Sequence, residues 1–327
     1  MKTEHDKMKG RFACSSLVAL TSAAAWPSSI QPVARAQIVE PAFGNPLARV
    51  RHIIVIYQEN WSFDSLYGKF SGANGFAYSF PTIPQFDLNG NSICQLPQPI
   101  GNNGSPDPRF PANLPVLPYD MTYYVPADQR TGDIIHRFYH EWLQIDGGKM
   151  DKFVTWSDNG GLVFSYIDAT RLPEGRVAQQ YVFNDLAGGT LPRVSFIKPI
   201  GRDNEHPGYA NLVAGQMHVA ALVRAVQSSQ FWATCAIVVT YDENGGRWDL
   251  VSPPLVDSWG PGTRVPAIII SPFAKKGHVD HTQYETVSIL KFIEKRFGLA
   301  PLSPRDANPA VNDLTNAFDF GVGLAGR

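Results

Sequence analysis

The chain reads as a doubly wound α/β protein, and three observations carry that reading. Two short runs of β-branched and aliphatic residues, His52-Ile-Ile-Val-Ile-Tyr57 and Cys235-Ala-Ile-Val-Val-Thr-Tyr241, are bounded by polar or glycine punctuation. Such runs are strands buried on both faces, as in a parallel sheet. Between them, Leu212 to Val226 has the apolar stripe and good helix formers of a crossover helix. Taken along the chain, strand, helix, strand, loop, strand, helix is the order of a doubly wound sheet flanked by helices.

The start of the chain sets Lys7, Lys9 and Arg11 before the apolar stretch Phe12 to Trp26, then Ala34-Arg-Ala36. Basic, apolar, then small-x-small is the pattern of a secretory signal. The expectation is a signal over residues 1–36 and a single domain over 37–327, exported to the periplasm or the exterior. After the first strand, residues 80–119 are dense in Pro, Asn and Gly and show neither period, which predicts a loop-rich surface insertion. Ile134, Ile135, Phe138, Tyr139 and Trp142 predict a helix over 133–142, with His136 and His140 on one face. Further strands are expected at 193–199 and, buried, at 265–271. A capping box at Thr282-Gln-Tyr-Glu285 predicts the last helix, which Gly298 stops.

With 327 residues, 44% of them hydrophobic, the chain can bury a large core, and a formal charge of -1 gives no reason to bind nucleic acid. No later stretch is long and apolar enough to cross a bilayer. Oligomeric state leaves no mark in the sequence. Cys94 and Cys235 are expected to stay unpaired, with Cys235 in the core.

Both strands end in acids. Glu59 and Asn60 follow the first, and Asp242 and Glu243 follow the second. Ligands in open α/β sheets gather at carboxyl ends of strands, and neighbouring strands lie about 4.8 Å apart. A cluster of acids that close needs a cation. Oxygen donors suit Mg, Mn or Ca better than a thiolate metal; Zn remains a further candidate. The alternative is that these acids cap helices or pair with arginines. His206, in the polar loop Gly201 to Pro207, is placed to contact a phosphate or protonate a leaving group, with Asp203 or Glu205 orienting it. As alternatives, His206 is a plain surface histidine and His136 a hydrogen-bonded helix residue.

Tyr57-Gln-Glu59-Asn60-Trp-Ser62-Phe-Asp64 resembles the ENxSFD motif of the bacterial phosphoesterase family of acid phosphatase A and phosphatidylcholine-type phospholipase C. The resemblance continues through Ile134-Ile-His136, Gln144-Ile-Asp-Gly-Gly-Lys149-Met-Asp, Val194-Ser-Phe-Ile-Lys-Pro199, Gly201-Arg-Asp-Asn-Glu-His206, Thr240-Tyr-Asp242-Glu243-Asn-Gly-Gly246 and Trp259-Gly-Pro-Gly-Thr-Arg264, in family order. It implies an alkaline-phosphatase-like fold and hydrolysis of phosphate esters, phospholipids among them, with the acid phosphatase branch closer. It also implies that Glu59, Asn60, Asp242 and Glu243 hold a divalent metal and that His136 and His206 serve the phosphate or the leaving group. One departure stands out. Where relatives carry a longer central segment with a Ser or Thr nucleophile, this chain has only a short bridge around Glu174 to Gln180. Its nucleophile is therefore unknown, with Ser165 and Thr170 the hydroxyls beside the gap. A non-catalytic relative that keeps the metal and phosphate sites is the alternative function.

Overall fold

A computed structural model describes residues 45–76, 84–168 and 180–321; the expected signal segment and Thr170 lie outside them. Strand β1 (His52–Gln58) is the hub. It pairs in parallel with β2 (Val194–Ile197) on one side and β3 (Cys235–Tyr241) on the other, while β4 (Ala267–Ile270) runs antiparallel on the outer side of β3. The strand order is β4-β3-β1-β2, a mixed, mainly parallel sheet.

The period-two alternation of β1 sends its side chains into two separate cores. Ile53 and Val55 join Ala236 and Val238 beneath α5 (Thr286–Phe297), which contributes Ile289, Phe292, Ile293 and Phe297. Ile54 and Ile56 join Ile237 and Val239 on the opposite face. There they meet Leu186 of α3 (Gln180–Gly188) and Leu222 and Val226 of α4 (Leu212–Gln227). Helices thus flank both faces, and continuous apolar strands follow from that arrangement. No described helix is long and apolar enough to cross a membrane.

Four local expectations shift. β4 is an edge strand with Ala267 and Ile268 exposed, because only β3 covers it. The helix expected at 133–142 begins later, as α2 (Phe138–Ile145); α1 (Phe63–Tyr67) is a short turn after the first motif. Residues up to Arg137 stay extended because their polar groups go elsewhere: Ile135 N–H donates to Asp158 at 2.8 Å, and the Asn159 amide donates to Asp133 O at 3.0 Å. The last helix is capped by a box between Glu285 and Ser288, three residues beyond the expected start, and ends at Gly298 in the left-handed region with φ 64°. The loop-rich stretch is not only surface. Leu96, Phe110 and Leu114 from it pack with Trp61, Phe153, Leu162 and Trp248 in a third apolar cluster. Cys94 is exposed and Cys235 buried, both free, and burial pushes the Cys235 thiol up to about 12.

Phe292 is fully buried and stacks on Phe318 with ring centres 5.1 Å apart. Phe292→Ala should therefore cost about 3–5 kcal/mol in denaturant unfolding. The exposed Leu302, changed to Ala, should leave the unfolding midpoint in place.

Candidate active site

Register fixes the site. Gln58 of β1 pairs with Tyr241 of β3, so Glu59 and Asp242 emerge side by side at the carboxyl edge, and the Asp242 N–H still donates to Gln58 O at 3.2 Å. Ile56 of β1 pairs with Ile197 of β2, so Lys198 arrives at the same edge. Its ammonium lies 2.7 Å from Glu59 Oε1 and 2.8 Å from Asp242 Oδ2. Burial pushes the Glu59 carboxyl upward, but the hydrogen bond and charge of Lys198, with the Tyr209 hydroxyl, hold it below its ordinary value. The cation that the acids require is thus partly supplied by the chain itself.

Asn60 and Glu243, the residues after Glu59 and Asp242, pair with each other, and Glu59, Asp242 and Glu243 do not bring three ligand atoms within 4.8 Å of one another as the expected cluster would. Asn60 has φ 75°, unusual for a residue with a side chain, and its amide donates to Glu243 Oε1. The other Glu243 oxygen accepts from Gly245 N–H at 2.6 Å. Burial and the neighbouring carboxyl of Glu141 raise Glu243 far above the usual carboxylate range. Gly245 cannot be replaced freely: with φ 65°, a Cβ there would fall 2.1 Å from Asn60 O. With its amide used, Asn60 Oδ1 is buried and has no hydrogen-bond partner. A buried amide oxygen without a partner, one residue along from Glu59, is the kind of donor a hard divalent cation takes.

Opposite the acids stand the histidines. The rings of His136 and His206 meet edge to face at 5.1 Å, and His206 stacks on Tyr209 at 4.2 Å. His206 Nε2 is 3.9 Å from Glu59 Oε2, which also accepts from the Tyr209 hydroxyl at 3.1 Å. Each Nδ1 lies 2.5 Å from a backbone carbonyl, Ile134 O for His136 and Pro207 O for His206. A carbonyl only accepts, so each Nδ1 donates to it, which leaves Nε2 as the ring atom that can serve the site. One ligand atom from each of Asp133, His136 and His206 lies within 4.8 Å of the other two. The partners expected to orient His206 are not the ones found. Asp203 pairs with Arg202, and Glu205 turns into the core.

That turn is what anchors the loop. Glu205, at φ 73°, accepts from Gln58 at 2.7 Å, Gln216 at 2.8 Å and the Tyr241 hydroxyl at 2.5 Å, tying the histidine loop to β1, α4 and β3. Burial nevertheless pushes its carboxyl up to about 7. Two other motif residues also prove structural. Arg264 sits 3.1 Å from both Asp64 and Asp249 and over the Phe63 ring, so its charge is taken up by that pair. Ser165 is fully buried; it donates to Leu162 O at 2.7 Å and accepts from Arg247 at 2.5 Å. Sequence reasoning missed Lys198, Tyr209, Glu141 and Asp133. Lys198 had a legible signal, a charge one residue past a strand just as Glu59 is, whereas Tyr209 and Glu141 are joined to the site only by tertiary contacts.

Comparison with known proteins places the chain in a family. The sequence profile of the phosphoesterase family matches residues 50–185 and 175–300. The chain belongs to the phosphoesterase family. Membership makes it a hydrolase of phosphoric ester bonds by class. It is 24% identical to phospholipase C A of Mycobacterium tuberculosis over 427 aligned positions, covering 88% of this chain and 81% of that one. It is 29% identical to the non-hemolytic phospholipase C of Pseudomonas aeruginosa over 42% of this chain and 24% of the relative. With non-specific phospholipase C6 of Arabidopsis thaliana it shares 30% over 45% and 36% of the two chains. These three are named as phospholipases, whereas the motifs pointed to the acid phosphatase branch. The family profile aligns in two pieces that meet at 175–185, and the 427 aligned positions exceed the 327 residues of the chain.

Removing the Glu205 carboxylate leaves Gln58, Gln216 and Tyr241 without their acceptor in the interior. Glu205→Ala should cost about 3 kcal/mol or more in unfolding free energy. Because its folded value is raised from 4.5 to about 7, Glu205 contributes stability that is complete below pH 4.5 and lost as pH rises through 7. Unfolding of Glu205→Gln, followed across that window, should lose this part of the slope.

Proposed function

We propose that the chain is a metal-dependent hydrolase of phosphate esters on an alkaline-phosphatase-like variant of the α/β fold, exported from the cell. The observation that carries this reading is the convergence of Glu59, Asn60 and Asp242 on one sheet edge opposite His136 and His206, in a chain of the phosphoesterase family. Glu59 and Asp242 give carboxylate oxygens to the cation, and Asn60 gives its unpartnered Oδ1. Glu243, with both oxygens engaged, stands behind them and orients Asn60. When bound, the cation polarises a phosphoryl oxygen and neutralises developing charge. The two imidazoles, each held through Nδ1 by a backbone carbonyl, serve the phosphate through Nε2: when Nε2 carries a proton, it donates to a phosphoryl oxygen or passes that proton to the leaving oxygen. The substrate is a phosphomonoester or phosphodiester, and the phospholipase C names of the relatives favour one carried on a phospholipid.

The shortened middle bears on rate. Family catalysis of the kind the motifs imply uses a hydroxyl nucleophile, and Ser165 is locked in the interior. The two-piece family match supports a missing central segment. The purified chain should therefore hydrolyse p-nitrophenyl phosphate weakly, at least tens of times slower than a full-length relative, with Mg, Mn, Ca or Zn supplied in turn. Glu59→Ala should abolish that residual rate. Turnover at the relative's level would mean that a hydroxyl outside the described residues, such as Thr170, performs the attack; a rate surviving in Glu59→Ala would overturn the site.

Asp242→Asn removes one charged oxygen from the set. Calorimetric titration should show weaker divalent-metal binding in that variant. Equal uptake would mean that the acids serve the fold and not a metal.

A further inference from the structure

We propose that the Lys198 ammonium occupies the position a divalent cation takes between Glu59 and Asp242, so that Lys198 sets the metal affinity of the site by direct competition. This rests on the metal reading of the same acids. The ammonium touches Glu59 Oε1 at 2.7 Å and Asp242 Oδ2 at 2.8 Å, so one point in space contacts both carboxylates. A divalent ion bound to those two oxygens sits at about 2.0–2.6 Å from each, too close to that point to share it with a second positive charge.

Each carboxylate is also aimed at the point by its other oxygen. Glu59 Oε2 accepts from the Tyr209 hydroxyl at 3.1 Å, and Asp242 Oδ1 accepts from the Glu243 N–H at 2.9 Å. Oε1 and Oδ2 therefore stay turned to the shared position whichever cation fills it. A divalent ion brings two charges to these two carboxylates where lysine brings one, so it has the advantage when it is supplied. The lysine has a route out: its backbone is pinned where β2 ends, while its side chain is 46% exposed on a flexible four-carbon stem with water to enter. The consequence is a site that is charge-balanced without metal and loads it only at sufficient concentration.

The test is calorimetric titration of Mn²⁺ into wild type, Lys198→Met and Lys198→Arg, with circular dichroism to check folding. Lys149→Met is the control, since Lys149 pairs with Asp146 away from the acids. Lys198→Met should bind Mn²⁺ on the order of tenfold more tightly or better, and its melting temperature should rise more on saturation than that of wild type. Lys198→Arg should bind more weakly, because a forked guanidinium grips two carboxylates harder than an ammonium. Lys149→Met should match wild type. Equal affinity in folded Lys198→Met and wild type overturns the competition and leaves the metal reading standing. Absence of binding in both overturns the two together. If Lys198→Met does not fold without metal, the arginine variant decides, and unchanged affinity there overturns the proposal.

Discussion

The structure depends on the repulsion between two carboxylates that a parallel register forces together. β1 and β3 pair in step to their last residues, so Glu59 and Asp242 leave the sheet as neighbours. Two like charges held that close cost free energy unless positive charge is near. Lys198, delivered by the third parallel strand, supplies it. Everything around the edge is arranged about that balance. Tyr209 and the Glu243 N–H hold the outer oxygens, and Gly245 clears the space that Asn60 needs.

A second layer makes the edge rigid. Glu205 is a buried carboxylate serving as a structural acceptor for three donors, and it fastens the His206 loop to two strands and a helix. Its backbone and that of Asn60 both adopt positive φ, a modest strain that the surrounding hydrogen bonds sustain. Arg264 likewise binds the buried Asp64 and Asp249 together. Several motif residues thus serve the fold around the strand ends.

Much of this was legible before any coordinates. The apolar runs at 52–57 and 235–241 announced parallel strands, and acids at their ends announced a cluster. His206 was placed correctly near Glu59, though its partner was not. What stayed hidden depends on tertiary contacts. The segment at 133–137 has helical spacing, but Asp158 and Asn159 claim its backbone and keep His136 in an extended stretch beside His206. The loop-rich stretch looked like surface because Leu96, Phe110 and Leu114 are too widely spaced to show a period, yet they close an apolar cluster. Ser165 looked available because sequence gives no burial.

The edge between β1 and β3 is proposed as a divalent-metal site. The most direct measurement is anomalous diffraction from crystals soaked in Mn²⁺. The account requires an anomalous peak within about 2.0–2.6 Å of oxygens from Glu59, Asn60 and Asp242, with Lys198 swung away from them. A crystal saturated with Mn²⁺ that shows no peak there, with Lys198 still bridging the two carboxylates, would contradict it.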